Sequence, residues 1–276
     1  MEAPEFTAPV PRAEENSVYK KYQELVDALE QGQFEMYFQL VYSIRRDTFT
    51  GMEALSRWHH PEKGVLPPAA FLPDLASFGL LDRLDFYMLE RACAFLENRH
   101  RTQQERLHLS CNFSRSSISV PDFRERFDGI VSRYDFDHRD LILEIAEDCL
   151  ADDAVAARFN IANCMSRGFK AALDDFGVGY TSFLDLCDFP VDRLKIDRAL
   201  VTRCDTPRGR AVLSEITQLA HHLDMEVLCE GVETDTERDI VRDCGCDYIQ
   251  GYLFSRVLPQ NEAMELYYRS RKERNP

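Results

Sequence analysis

Eight short apolar runs, most of them separated by helix-length spacers, constrain what this chain can fold into more than any other feature. The runs are Met36–Ser43, Gly51–Trp58, Leu107–Phe113, Leu141–Ala146, Phe169–Leu173, Arg193–Ile196, Glu226–Cys229 and Asp247–Gln250. Leu141-Ile142-Leu143-Glu144-Ile145 does not alternate between apolar and polar, which is the pattern of a strand buried on both faces. Between runs, Leu81, Leu84, Met88, Ala92 and Phe95 recur at helical spacing, as do Val212, Ile216, Leu219 and Leu223. Helix ends are marked as well. Thr206-Pro207 suits an N-cap followed by the first helical position, Gly168 a left-handed C-terminal cap, and Thr234 to Glu237 a capping box. Strands alternating with helices predict an α/β fold, a TIM-like (β/α)8 barrel. One spacer breaks the rule. Arg45 to Thr50 is too short for a crossover helix, so the first two strands are predicted to pair as an antiparallel hairpin, leaving one reversed strand in the barrel.

A chain of 276 residues is within the range of a single barrel. Residues 1–16 carry Pro4, Pro9 and Pro11 without periodicity and read as a linker or tail, the kind of join that leads to a further sensor domain. The barrel domain is expected over 17–276, opening with a helix over Ser17–Gln31 whose apolar face holds Val18, Tyr22, Leu25, Val26 and Leu29. A net charge of −15 with no basic stripe argues against polymeric nucleic acid as a partner, because phosphate neutralisation needs clustered Lys and Arg. An anionic substrate would need bound cations instead. The nine cysteines include no C-x-x-C pair and sit mostly among apolar neighbours, as free thiols of a reducing compartment do. No run reaches the roughly 18 apolar residues of a membrane span, and no signal pattern opens the chain. The expected location is the cytoplasm.

Barrel enzymes place their chemistry at the C-terminal ends of the strands. Glu53 lies on strand two, Asn112 on strand three, and Glu144 with Glu147 on and after strand four. Strand five ends in Asp174-Asp175-Phe176-Gly177, strand six supplies Lys195 and Asp197, strand seven Glu230 and Glu233, and strand eight Gln250. Taken singly, each has an ordinary reading: a surface glutamate, an Asp/Gly turn, a snorkelling lysine. Their recurrence on successive strand ends is what carries weight. Carboxylates converging at one mouth repel each other unless cations sit among them. Oxygen donors with one amide suit hard cations, Mg²⁺ or Mn²⁺, and adjacent Asp174 and Asp175 could serve two ions.

These segments resemble the EAL-domain cyclic-di-GMP phosphodiesterase family, which takes its name from the motif seen here as Glu53-Ala54-Leu55. The likeness runs from about Ser17 to Leu266. It rests on Glu53-Ala54-Leu55-Ser56-Arg57-Trp58, Asn112-Phe113-Ser114, Glu144-Ile145-Ala146-Glu147, Asp174-Asp175-Phe176-Gly177, Leu194-Lys195-Ile196-Asp197, Glu230-Gly231-Val232-Glu233-Thr234 and Gly245 to Tyr252. The resemblance implies metal ligands at Glu53, Asn112, Glu144, Asp174, Asp175 and Glu230. It implies that Lys195 orients or activates water, with Glu230 or Asp197 receiving protons. Arg57 would clamp a phosphate, Gln39, Glu233 and Gln250 would contact substrate, and Glu147 would anchor the loop after strand five. The implied reaction opens cyclic di-GMP to linear pGpG with two ions in a homodimer.

Four positions depart from the family pattern: Leu40 for Pro, Ala146 for Thr, Val178 for Thr and Cys229 for Ala. Leu40 and Val178 keep a second reading open, a cyclic-di-GMP receptor with little turnover. His59-His60 and His221-His222 are adjacent pairs that do not share a helix face and are read as packing or surface residues.

Overall fold

A computed structural model describes residues 13–104, 106–150, 155–177, 186–187 and 189–272. Two compact units emerge, a larger one comprising Met36–Ser56 and Leu81 onward, and a smaller one comprising the chain up to Glu35 with Arg57–Leu80. The barrel strands are β1 (Phe34–Ser43), β2 (Thr48–His60), β3 (His108–Phe113), β4 (Leu141–Ala146), β5 (Lys170–Phe176), β6 (Arg193–Ile196), β7 (Glu226–Cys229) and β8 (Tyr248–Ile249). Hydrogen bonding runs β1-β8-β7-β6-β5-β4-β3-β2 and returns from β2 to β1, so the sheet closes. Pairing from β2 through to β8 is parallel, whereas β1 meets β8 antiparallel with Tyr42 opposite Ile249. The short Arg45–Thr50 spacer has the predicted effect, a reversed first strand.

Register decides what faces inward. Glu53 lies opposite Ser110, Asn112 opposite Glu144, and Glu144 opposite Ala172. Paired residues on neighbouring strands share a side of the sheet, so these residues form one inward-facing set. Alternate residues fill the layer under the helices: Phe113 packs against Phe123 at 5.9 Å and Phe86 at 6.2 Å between ring centroids. Leu40, one residue from Gln39, is fully buried and faces that outer layer. Its departure from proline therefore lies behind the barrel wall.

The helix ends follow the sequence signals. Thr206 accepts a hydrogen bond from Gly209 N at 3.0 Å with Pro207 at the first helical position, and Thr234 with Glu237 forms the complete capping box. Gly168 takes φ +94°, the left-handed cap that only glycine adopts without strain.

In the smaller unit the first helix covers Ala13–Glu30, opening before the Ser17 start that periodicity predicts. Trp58 stacks on Phe34 at 5.6 Å and donates to Gln33 Oε1 at 3.0 Å. His60 is buried, with Nε2 2.9 Å from Glu24 and Nδ1 accepting from the backbone of Glu62 and Lys63. This histidine is a satisfied structural residue, as expected.

The strand-five prediction needs adjustment. β5 continues to Phe176, so both aspartates lie within the strand and not in the turn beyond it.

Candidate active site

Consecutive strand residues point to opposite faces, so Asp174 and Asp175 should not reach one site. The backbone resolves this. The β5–β6 register shifts between Leu173 and Phe176, and Asp175 adopts φ +57°, a left-handed conformation that aspartate tolerates better than most residues. The result is that Asp174, Asp175 and Glu230 each offer a carboxylate oxygen, all within 4.8 Å of one another.

Lys195 is the centre of the mouth. Its Nζ lies 2.8 Å from Glu144, 2.8 Å from Glu230, 3.0 Å from Asp174 and 3.5 Å from Glu53, and its side chain is 1% exposed. Burial alone would strip the ammonium of its proton, but the surrounding carboxylates outweigh it and hold the Lys195 pKa well above the usual range. One positive charge cannot neutralise four carboxylates. Burial and the Glu53 charge push the Glu144 carboxyl well up, while Glu53 is held down against its own burial by Lys195, Asn112 and Gln250. Glu53 is thus the more acidic member of the pair and Glu144 the less acidic. Glu230 is pushed up to about 8, chiefly by burial, with Asp174 and Glu53 adding to the effect and Lys195 opposing it. Burial, aided by Asp174, also raises Asp175.

Amides fix the Glu53 carboxylate. Asn112 Nδ2 donates to Oε1 at 2.8 Å and Gln250 Nε2 to Oε2 at 2.6 Å, while Gln250 also reaches Gln39 Oε1 at 3.1 Å. Gln39 in turn donates to Ser255 O at 3.1 Å. Gln250 Oε1 is buried and finds no hydrogen-bond partner among the described residues.

A cleft of about 300 Å³ opens beside this cluster, lined by Gln39, Glu53, Glu230, Glu233, Gln250 and Tyr252 among others. Gln39, Glu53, Asn112, Glu144, Asp174, Asp175, Lys195, Glu230 and Gln250 are all joined by these contacts. Other expected site residues are placed differently. Asp197 turns its carboxylate to the N-terminus of the helix Arg198–Val201, accepting from Ala199 N at 2.7 Å. Glu233 lines the cleft but pairs with Arg198 at 2.6 Å. Glu147 is buried in the turn Glu147–Leu150 after β4. Arg57 lies on β2, in the smaller unit. Val178 lies outside the described residues. Cys229 is buried, its Sγ 3.5 Å from Cys246 Sγ. The cleft residues to which the sequence assigns no site role include Arg198 and Tyr252, the latter 59% exposed. Arg198 directly follows the segment Leu194 to Asp197 and Tyr252 closes the segment Gly245 to Tyr252, the signal that could have found them.

A family model described as EAL domain matches residues 22–257. The chain belongs to the EAL domain family. Among similar proteins, cyclic di-GMP phosphodiesterase RocR of Pseudomonas aeruginosa is 31% identical over 257 residues, covering 93% of this chain and 65% of RocR. Cyclic di-GMP phosphodiesterase NbdA of the same organism is 32% identical over 240 residues, covering 86% of this chain and 30% of NbdA. The chain therefore spans just under two thirds of the one relative and under a third of the other. A solved structure described as PaMucR phosphodiesterase in complex with c-di-GMP superposes with a TM-score of 0.82 at 28% identity, covering 88% of this chain and 99% of that one. Among the described residues of this EAL domain, no helix is long and apolar enough to cross a membrane.

Proposed function

We propose that this EAL domain hydrolyses one phosphodiester bond of cyclic di-GMP, giving linear pGpG, with two divalent cations, Mg²⁺ or Mn²⁺. The observation that carries the reading is the density of carboxyl groups at the mouth: four contact the one buried ammonium of Lys195, and Asp175 stands beside them. The unpartnered Gln250 Oε1 in the same cluster adds an oxygen donor. An all-oxygen donor set of this density fits hard divalent cations. Glu53, Asn112, Glu144, Asp174, Asp175 and Glu230 would hold them. Bound there, the cations would supply water activation and charge neutralisation at phosphorus.

The chain's own residues do the rest. Lys195 keeps its proton and presents fixed positive charge to the attacked phosphate, already desolvated before substrate arrives. Asn112 and Gln250 hold the Glu53 carboxylate by both oxygens, which removes its rotational freedom. Glu230, beside Lys195 and Asp174 at the mouth, is assigned as acceptor of a proton from the attacking water once it is ionised, with Asp197 as the alternative acceptor. Gln39, Gln250 and Glu233 line the groove for the nucleotide, and Arg57 is assigned to a phosphate. Glu147 is assigned to the loop after β5. The names of RocR and NbdA, and the ligand in the PaMucR structure, support the choice of cyclic di-GMP. A homodimer is part of the proposal and is tested by light scattering.

Chromatography of the products formed from cyclic di-GMP with Mg²⁺ or Mn²⁺ tests the reading directly. Metal-dependent pGpG is expected, and it should vanish in Glu53→Ala. Folded, metal-loaded protein that binds the dinucleotide and yields no product would refute hydrolysis and leave a receptor.

A further inference from the structure

The segment Asn112-Phe113-Ser114 contributes one amide to the site through Asn112, yet most of its contacts lie behind the barrel wall. Phe113 packs outward on Phe86 and Phe123. Ser114 then leaves the strand as the N-cap position of the short helix Arg115–Ile118, and its cap is not made by its own side chain. Instead Asp85, on the helix Leu81–Arg101, holds the strand exit. A single carboxylate oxygen, Asp85 Oδ2, accepts from Ser114 N at 2.8 Å, Ser114 Oγ at 2.7 Å and Ser117 Oγ at 2.6 Å. Asp85 is 8% exposed, and burial pushes its carboxyl up against the pull of these serines. On the far side Asn160 Nδ2 donates to Ile118 O at 2.8 Å, pinning the other end of the same short helix.

We propose that Asp85 is a positioning residue for the metal site, fixing the end of β3 so that Asn112 presents its amide to Glu53 and to a divalent cation. The inference rests on the metal-dependent reading above. Asp85 touches neither substrate nor ligand and acts through the backbone of Ser114, two residues from Asn112. A buried acid among apolar neighbours that spends one oxygen on three donors is costly unless the position it holds matters. Phe113 on Phe86 and Ser114 on Asp85 clamp consecutive residues to consecutive positions of one helix, leaving β3 little freedom to slide or twist. The serine of the segment gains a reason that the sequence did not disclose: the Asn serves the site and the Ser serves its support.

The test is Mn²⁺ binding by calorimetry to the full chain, with peptide-level hydrogen exchange over residues 109–119 as a second readout. Asp85→Ala should weaken Mn²⁺ binding about tenfold, the lower end for loss of a group supporting a ligand. It should also speed exchange in that segment while the far-UV spectrum stays native. Asp85→Asn keeps an oxygen acceptor where Oδ2 stands and should recover affinity to within about threefold of the parent. Ser114→Ala removes one of the three bonds with little risk to folding and should show a smaller loss in the same direction. Unchanged affinity and exchange in Asp85→Ala would overturn the proposal. So would equal damage from Ala and Asn, since charge and not geometry would then be at stake. If Asp85→Ala does not fold, Ser114→Ala decides, and unaltered Mn²⁺ binding and exchange there overturn it. If the parent itself binds no Mn²⁺, the metal reading fails, and the exchange arm alone judges whether Asp85 holds the strand end.

Discussion

Loading the mouth with Mn²⁺ should expel protons, and the number follows from the site's electrostatics. With Glu230 at about 8, its carboxyl is roughly 90% protonated at pH 7, and burial with the Glu53 charge pushes Glu144 in the same direction. A divalent ion bound by Glu230 must displace that proton, so full loading at pH 7 should release about 0.9 of a proton per chain from Glu230. Removing the Glu230 proton at pH 7 costs about 1.4 kcal/mol, one pH unit below its pKa, which is about a tenfold loss in Mn²⁺ affinity relative to an ionised carboxylate. Calorimetric titrations in two buffers of different ionisation enthalpy read the released protons directly. Affinity should rise between pH 6.5 and 8.5, and the Glu230 share of the release should fall to roughly one tenth of a proton by pH 9. Identical binding heats in the two buffers at pH 7 would show Glu230 already ionised and would refute the reasoning from burial and mutual repulsion.

Other expectations concern stability and the groove. Lys195→Met leaves Glu53, Glu144, Asp174 and Glu230 facing one another without a cation, and should cost about 3–5 kcal/mol in urea denaturation at pH 8. The loss should shrink at pH 5, where the carboxylates take up protons; an equal loss at both values would contradict it. His108 is lowered to about 4 by burial, with Lys170, Arg193 and Arg106 adding to the effect, so the folded state holds it neutral. Its contribution is present above the unfolded value of about 6.5 and is lost as pH falls towards 4, a span of roughly 3 kcal/mol. His108→Gln should therefore flatten part of the acid limb of a stability-versus-pH curve. A Cβ at Gly251 would lie 2.1 Å from Val232 O and 2.4 Å from Val232 N, so Gly251→Ala should destabilise by about 1–3 kcal/mol or more and weaken cyclic di-GMP binding by displacing Gln250. Thermal melts and fluorescence titration check the two effects separately.

Much of the barrel was legible because its signals are local. β4, β6 and β7 carry the boundaries that their apolar runs predict, and the hairpin at Arg45–Thr50 follows from spacer length alone. The acidic mouth was legible through its placement at strand ends, and Lys195 with them. What could not be read depends on backbone geometry or on contacts distant in sequence. The left-handed turn at Asp175 that brings two adjacent aspartates to one place has no sequence signature of its own, since Asp-Asp-Phe-Gly reads equally well as a turn. Asp85 looks like any polar residue of an amphipathic helix until Ser114 is seen above it, and nothing in the sequence discloses that the Asp197 carboxylate also accepts from Ala199 N. Helix-capping and catalysis draw on the same residue types, and only the direction of the side chain separates them.

The reversed β1 also sets when the site can exist. Gln39 and Glu53 arrive early in the chain, whereas Gln250, which bonds to both, arrives near its end. The seam that joins them is Tyr42 against Ile249, a pairing between residues from opposite ends of the barrel domain. Closing so long a loop carries a large entropic cost before any contact repays it, which makes such pairings late and slow events in folding. A ribosome-bound chain that has not yet released β8 holds most of the carboxylates and lacks the groove. If the proposed function holds, recognition of the nucleotide is thereby tied to completion of the barrel, and partly made chains do not compete for it.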